Sequence, residues 1–194
     1  MIDRRAQAVL EFWFGAPDDP LHTAPRDQWF KKDAAFDAEC GRRFGPLVEQ
    51  GLAGALAPWG ATPLGALAQI VVLDQFTRNV FRDSARAFAG DSQALAAARA
   101  LVASGSDRQL TGVQRQFVYL PFEHAEDIAM QREALRLFAQ LERDEPALAG
   151  LLTWAQRHHD IIERFGRFPH RNAALGRAST AEELALLQRP GSGF

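Results

Sequence analysis

The chain has 194 residues with 22 basic and 24 acidic side chains, and a formal net charge of −2 gives it no field to gather a polyanion, so nucleic acid is not an expected partner. A lone Cys40 excludes an internal disulfide and any multi-cysteine metal site. No apolar run nears the roughly 20 residues of a membrane span, and the stretch Met1 to Phe14 lacks the pattern of a secretory signal, so the expectation is a cytoplasmic protein with no membrane contact.

Hydrophobic residues at 47% and charged residues at 24% fit one globular domain over 1–194, with a short flexible tail at 190–194. Lys31 and Lys32 are the only lysines, and this arginine skew together with abundant alanine points to a GC-rich bacterial genome.

In chain order, Asp3 caps a helix whose apolar positions Ala6, Val9, Leu10, Trp13 and Phe14 recur at helical spacing, and Gly15 and Pro17 stop it. A loop from Asp18 to Pro25 leads to a second helix from near Asp33, with Phe36, Cys40, Phe44 and Leu47 or Val48 on one stripe and a kink expected at Pro46. Thr62 before Pro63 is a helix start, and the run from Leu64 to Phe76 is apolar nearly all round, as in a central helix. Asp91 is read as the cap of the next helix, ended by Gly105. Thr111 with Gln114 makes a capping box, and Pro121 bends or divides the helix that it opens. Pro146 is read as opening a helix through Leu148, Leu151, Leu152, Ala155, Ile162 and Phe165, closed by Gly166, and Thr180 with Glu183 starts a short last helix. No segment alternates with a period of two, so the fold class is all-α, with successive helices forming antiparallel hairpins. Trp13, Trp29, Trp59 and Trp154 read as packing residues.

Three polar clusters interrupt this pattern. Asp74, Gln75, Thr77, Arg78 and Asn79 end the most apolar helix, where Asp74 and Arg78 share a face as an ion pair would. Glu123, His124, Glu126 and Asp127 come after Pro121, with His124 and Asp127 the better-placed pair; they either repair the helix end, or bind a hard cation or tune a general base. The third runs through His158, His159, Asp160, Glu163 and Arg164 into Arg167, Pro169, His170, Arg171 and Asn172. There at least one imidazole falls on the apolar stripe, and Pro169 holds Phe168 extended. From Arg157 to Arg177 five arginines face two acids, suited either to a bound carboxylate or phosphate or to salt bridges that lock neighbouring helices.

These stretches resemble a bacterial family, domain of unknown function 924 (DUF924). The matching runs are Val9 to Gly15, Leu73 to Asn79, Leu120 to Asp127, and His158 through Phe165 to Asn172, Leu175 to Arg177 and Ser179-Thr180; Ala125 stands where the pattern has serine. The resemblance implies a tetratricopeptide-like helical array without a transferable reaction or cofactor, although the chain shows no repeated consensus of its own.

Two functions fit these residues. One is a binding module holding an anionic small molecule or peptide in a concave pocket through Arg78, Asn79, Arg167, His170, Arg171 and Asn172. The other is a small hydrolase or isomerase with His158 or His124 as general base, oriented by Asp74, Glu123 or Asp127, and arginines on the substrate anion. No spacing is diagnostic for a metal or cofactor, and oligomeric state is open. The two functions separate on whether these residues meet in space.

Overall fold

The computed structural model describes residues 2–19, 22 and 24–189; the tail expected at 190–194 lies outside them. Helix α1, Arg4–Phe14, starts where the Asp3 carboxylate accepts the Arg5 N–H, and Gly15 at φ 88° ends it. Helix α2, Ala34–Leu52, starts at Asp33, which accepts from Ala35 and Phe36, and it runs through Pro46 without ending there. Thr62 caps α3, Pro63–Ile70, through the Gly65 N–H.

The apolar run expected to continue to Phe76 as one α-helix does not. It widens into a π-helical segment over Val71–Phe76 before α4, Thr77–Val80. Side chains bond carbonyls in this segment: Thr77 Oγ1 donates to Leu73 O at 2.8 Å and Arg78 donates to Asp74 O. Gly90 lies directly on the same segment, since a Cβ there would collide with Leu73 O.

Helix α5 is Asp91–Ala103, and its cap is Gly90 rather than Asp91. As the first helical residue, Asp91 makes no capping bond and turns its carboxylate elsewhere. Helices α6, Gly112–Glu123, and α7, Ile128–Asp144, are separated at the break that Pro121 foreshadows. Pro146 opens only a 3₁₀ turn, Pro146–Leu148; Gly150 at φ 107° then redirects the chain, so α8 is Leu151–Phe165. A capping box of Thr180 and Glu183 starts α9, Ala181–Leu187.

The described residues contain no strand. α7 packs on α6 and α8, α3 on α1 and α5, and α2 on α4 and the π segment. The core is aromatic on the α1–α2 side, where the Trp13 ring lies 5.6 Å from Phe76, 5.5 Å from Phe117 and 6.0 Å from Trp29. Trp13, Trp29 and Trp59 are core residues, whereas Trp154 is half exposed with Arg157 stacked over its ring. No described helix is long and apolar enough to cross a membrane.

Candidate functional site

Four stretches distant in sequence meet at the break between α6 and α7. Pro121 sits in the last turn of α6, and the chain leaves the helix at His124. Carbonyls freed there are taken up by the buried Gln131 side chain, which donates to Glu123 O at 2.6 Å and Ala125 O at 2.7 Å. The exit turns the His124 ring toward the π segment, where Nδ1 lies 2.8 Å from Asp74 Oδ1.

Asp74 is fully buried, and π turns concentrate at functional sites. Arg78 reaches its Oδ1 at 3.1 Å, and Gln75 Nε2 donates to its Oδ2 at 2.5 Å. Arg78 extends further to Asp91, with Nη1 3.0 Å from Oδ1 and Nη2 donating to Oδ2 at 3.2 Å. Arg171 closes the ring of charges: Nη1 donates to Asp91 Oδ2 at 2.9 Å and Nη2 to the His124 carbonyl at 3.0 Å. Its guanidinium lies over Phe88 at 4.6 Å and Phe168 at 4.7 Å.

A second carboxylate–imidazole pair stands beside the first. His158 Nδ1 is 2.9 Å from Glu123 Oε1 and 2.9 Å from Trp154 O, and the His124 and His158 rings are 6.2 Å apart. Phe168 bridges His158 and His170 at 5.6 Å and 5.5 Å.

Burial opposes the charge on Asp74, but Arg78 and then His124 outweigh it and hold the carboxyl well below the usual range. Burial pushes His124 the other way, below the ordinary histidine value, and Arg78 adds to that push against the pull of Asp74. Burial, reinforced by Arg171, drives His170 down to about 3. Because ionised Asp74 can only accept, the hydrogen on His124 is assigned to Nδ1, which leaves Nε2 as a neutral base. The cluster reaches solvent along one edge, where the side chains of His124, Arg78 and Asp91 are 15%, 21% and 22% exposed. Surface clefts of about 340 and 540 Å³ are lined by other residues.

The model of the family described as "Bacterial protein of unknown function (DUF924)" matches residues 9–191. The chain belongs to the DUF924 family. A solved structure of a protein of unknown function from Agrobacterium tumefaciens is similar to it, with 38% identity, a TM-score of 0.81, and coverage of 95% of this chain and 97% of that one. No curated protein matches the chain.

Other DUF924 residues singled out from the sequence lie apart from this cluster. Asp127 caps α7, accepting from Ala129 and Met130 N–H, because an aspartate just ahead of a helix finds those donors first. Asn79 donates to Asp37 at 2.7 Å beside Arg82. Arg167 is held by Glu183 at 2.7 Å and by the Ala178 carbonyl, and Asn172 donates to Ser179 and Glu183. Glu126 accepts from Arg177 and from the Phe168 N–H, pinning the C-terminal loop against the α6–α7 break.

Asp91, Phe88 and Gln131 are the members that sequence reasoning missed. An acid at a helix start reads first as a cap, and only coordinates show its carboxylate turned toward two arginines. Among the described residues, His159, Asp160 and Glu163 on α8 are a group whose ligand atoms, within 4.8 Å of one another, could hold a metal ion; both acids are exposed. Cys40 is buried and its thiol is pushed up to about 12, chiefly by desolvation, which leaves it a poor nucleophile.

Proposed function

We propose that this DUF924 protein is a small acid–base enzyme, a hydrolase or isomerase, in which His124 is the general base and Asp74 holds its tautomer and orientation. The observation that carries the reading is the Asp74–His124 pair at 2.8 Å, its carboxylate fully buried in a π segment and its imidazole at the solvent edge, flanked by a second pair, Glu123–His158. A neutral imidazole whose Nδ1–H is fixed by a carboxylate presents Nε2 as a base, the orienting logic of carboxylate–imidazole catalysis on unrelated folds. Substrate would approach the solvent edge at His124, with Arg78 and Arg171 supplying positive charge beside the developing anion.

A binding role without chemistry is the second reading, and one observation favours it: Arg171 Nε is buried with no hydrogen-bond partner among the described residues, a donor that a carboxylate or phosphate would satisfy. Against a wide arginine clamp, the guanidinia of Arg78, Arg167 and Arg171 are already engaged by Asp74, Glu183 and Asp91. A tetratricopeptide-like array of antiparallel hairpins belongs to the same proposal, supported by the chain-order packing of α6, α7 and α8.

The test is turnover of a panel of carboxylic esters, lactones, phosphomonoesters and 2-oxo acids by the wild type, H124Q and D74N. Turnover that falls on the order of a hundred-fold or more in H124Q supports the enzyme reading. Turnover equal in wild type and H124Q, or none across the panel, rejects it.

A further inference from the structure

Helix α5 carries a polar feature at each end. Its first residue, Asp91, belongs to the imidazole cluster, whereas its last turn forms one wall of a cleft of about 340 Å³ closed by α6 and α7. The cleft falls in the size range of small-molecule sites, and its lining includes Ser104, Asp107, Arg108, Arg115, Tyr119 and Arg136.

Two of these side chains form a buried relay with a third. Arg115 Nε donates to Tyr119 Oη at 3.1 Å, and Tyr119 Oη donates to Asp107 Oδ2 at 2.6 Å, while Arg115 Nη1 pairs with Asp144 at 3.0 Å. Bonding capacity is left over at defined atoms. Among the described residues, Arg115 Nη2 and Asp107 Oδ1 make no hydrogen bond, although both side chains are more than nine-tenths buried. The Arg108 side chain has no ion pair or hydrogen bond to a described residue. Arg136 differs in being mostly exposed, with Nε and Nη2 on Glu133 at 2.9 and 2.7 Å.

The leftover groups are of both signs. Arg108 and the open edge of Arg115 want a carboxylate, which a guanidinium binds bidentately. Asp107 Oδ1 and the carbonyl end of α5, the negative pole of that helix, want a cation. Asp107, Asp144 and Glu133 together offset the three arginines, so a simple dianion would meet no net field.

We propose that this cleft binds a free α-amino acid, its carboxylate on Arg108 and Arg115 and its ammonium on Asp107 beside the C-terminal end of α5. Isothermal titration of the full chain with the common free amino acids, their N-acetyl and methyl ester forms, and inorganic phosphate tests it. The result expected is saturable binding of at least one amino acid. That binding is weakened on the order of ten-fold or more by either blocking group, by R108Q and by D107N. Arg108 makes no hydrogen bond or ion pair within reach of a described side chain and acts only at a distance, on the Asp144 carboxylate, so R108Q removes little from the fold and gives a reading even where D107N does not. No saturable binding by any free amino acid, binding that survives acetylation or R108Q, or phosphate binding as tightly as the best amino acid would overturn the proposal.

Discussion

Phe76 and Asp74 lie two residues apart in one π segment, yet they serve opposite halves of the molecule. Phe76 packs among Phe12, Trp13 and Phe44 with ring separations of 5.8, 5.6 and 4.9 Å, in a core whose contacts are ring on ring. Asp74 faces Arg78, His124 and, through Arg78, Asp91 and Arg171. The aromatic half is held by non-directional burial and tolerates changes that conserve volume. The polar half is held by directed bonds between charges removed from water, where losing one member strands the others. Buried charge networks are often replaceable by apolar residues with no loss of stability, whereas removing one partner alone is costly. That contrast supports the proposed site at the α6–α7 break.

The contrast can be broken by mutation, and the effects should fall in order. D74A strips Arg78 and His124 of their shared partner and is expected to cost about 3 kcal/mol in urea unfolding, the low end for a buried pair because Arg78 keeps some solvent. Loss within about 0.5 kcal/mol would show that the charges are slack.

Next comes G90A, whose new Cβ would meet the Leu73 backbone. Overpacking of about 1–3 kcal/mol is expected, together with loss of the Asp91 bridge to Arg78 and Arg171, read as altered His124 chemical shifts. In the apolar core, L67M at a fully buried site should cost less than about 1.5 kcal/mol and leave those shifts unmoved.

Smallest is a pH effect. His124 and His170 both have folded values below the unfolded histidine value, so between the two the unfolded chain binds more protons. Stability from these groups is therefore complete above about 6.5 and declines as pH falls, for His170 toward about 3. Equilibrium melts from pH 7.5 to 4.5 should show the decline, and H170F should shallow it. An unchanged slope in H170F would remove His170 from the account.

Much of the fold is readable from residues alone because it depends on local rules. Asp3, Asp33, Thr62, Thr111 and Thr180 each start a helix where their side chains can cap one, and Gly15, Gly105 and Gly166 stand at the exits in left-handed or related conformations. What is not local is not readable. The π segment at Val71–Phe76 has Gly90 lying against it from the start of α5, and nothing in the apolar run announces either feature. At the site, Asp74, Glu123, His124, His158 and Arg171 stand out as polar groups in apolar surroundings. Their pairing does not, since Asp74 and His124 are 50 positions apart. Local spacing pairs His124 with Asp127 instead, and the cap at α7 claims Asp127. For Arg167 and Arg171 the residues alone leave a bound anion and a salt bridge both open, because the partners they find, Glu183 and Asp91, carry no mark of that role.

The central claim is that Asp74 fixes His124 as a neutral base protonated at Nδ1, and its most direct measurement is a pH titration of the His124 ring by heteronuclear NMR in wild type and D74N. The account predicts a midpoint below the ordinary histidine value of 6.5, the Nδ1–H tautomer above that midpoint, and a further fall of the midpoint in D74N as the anion is lost. A midpoint at or above 6.5, or the Nε2–H tautomer in the wild type, would contradict it.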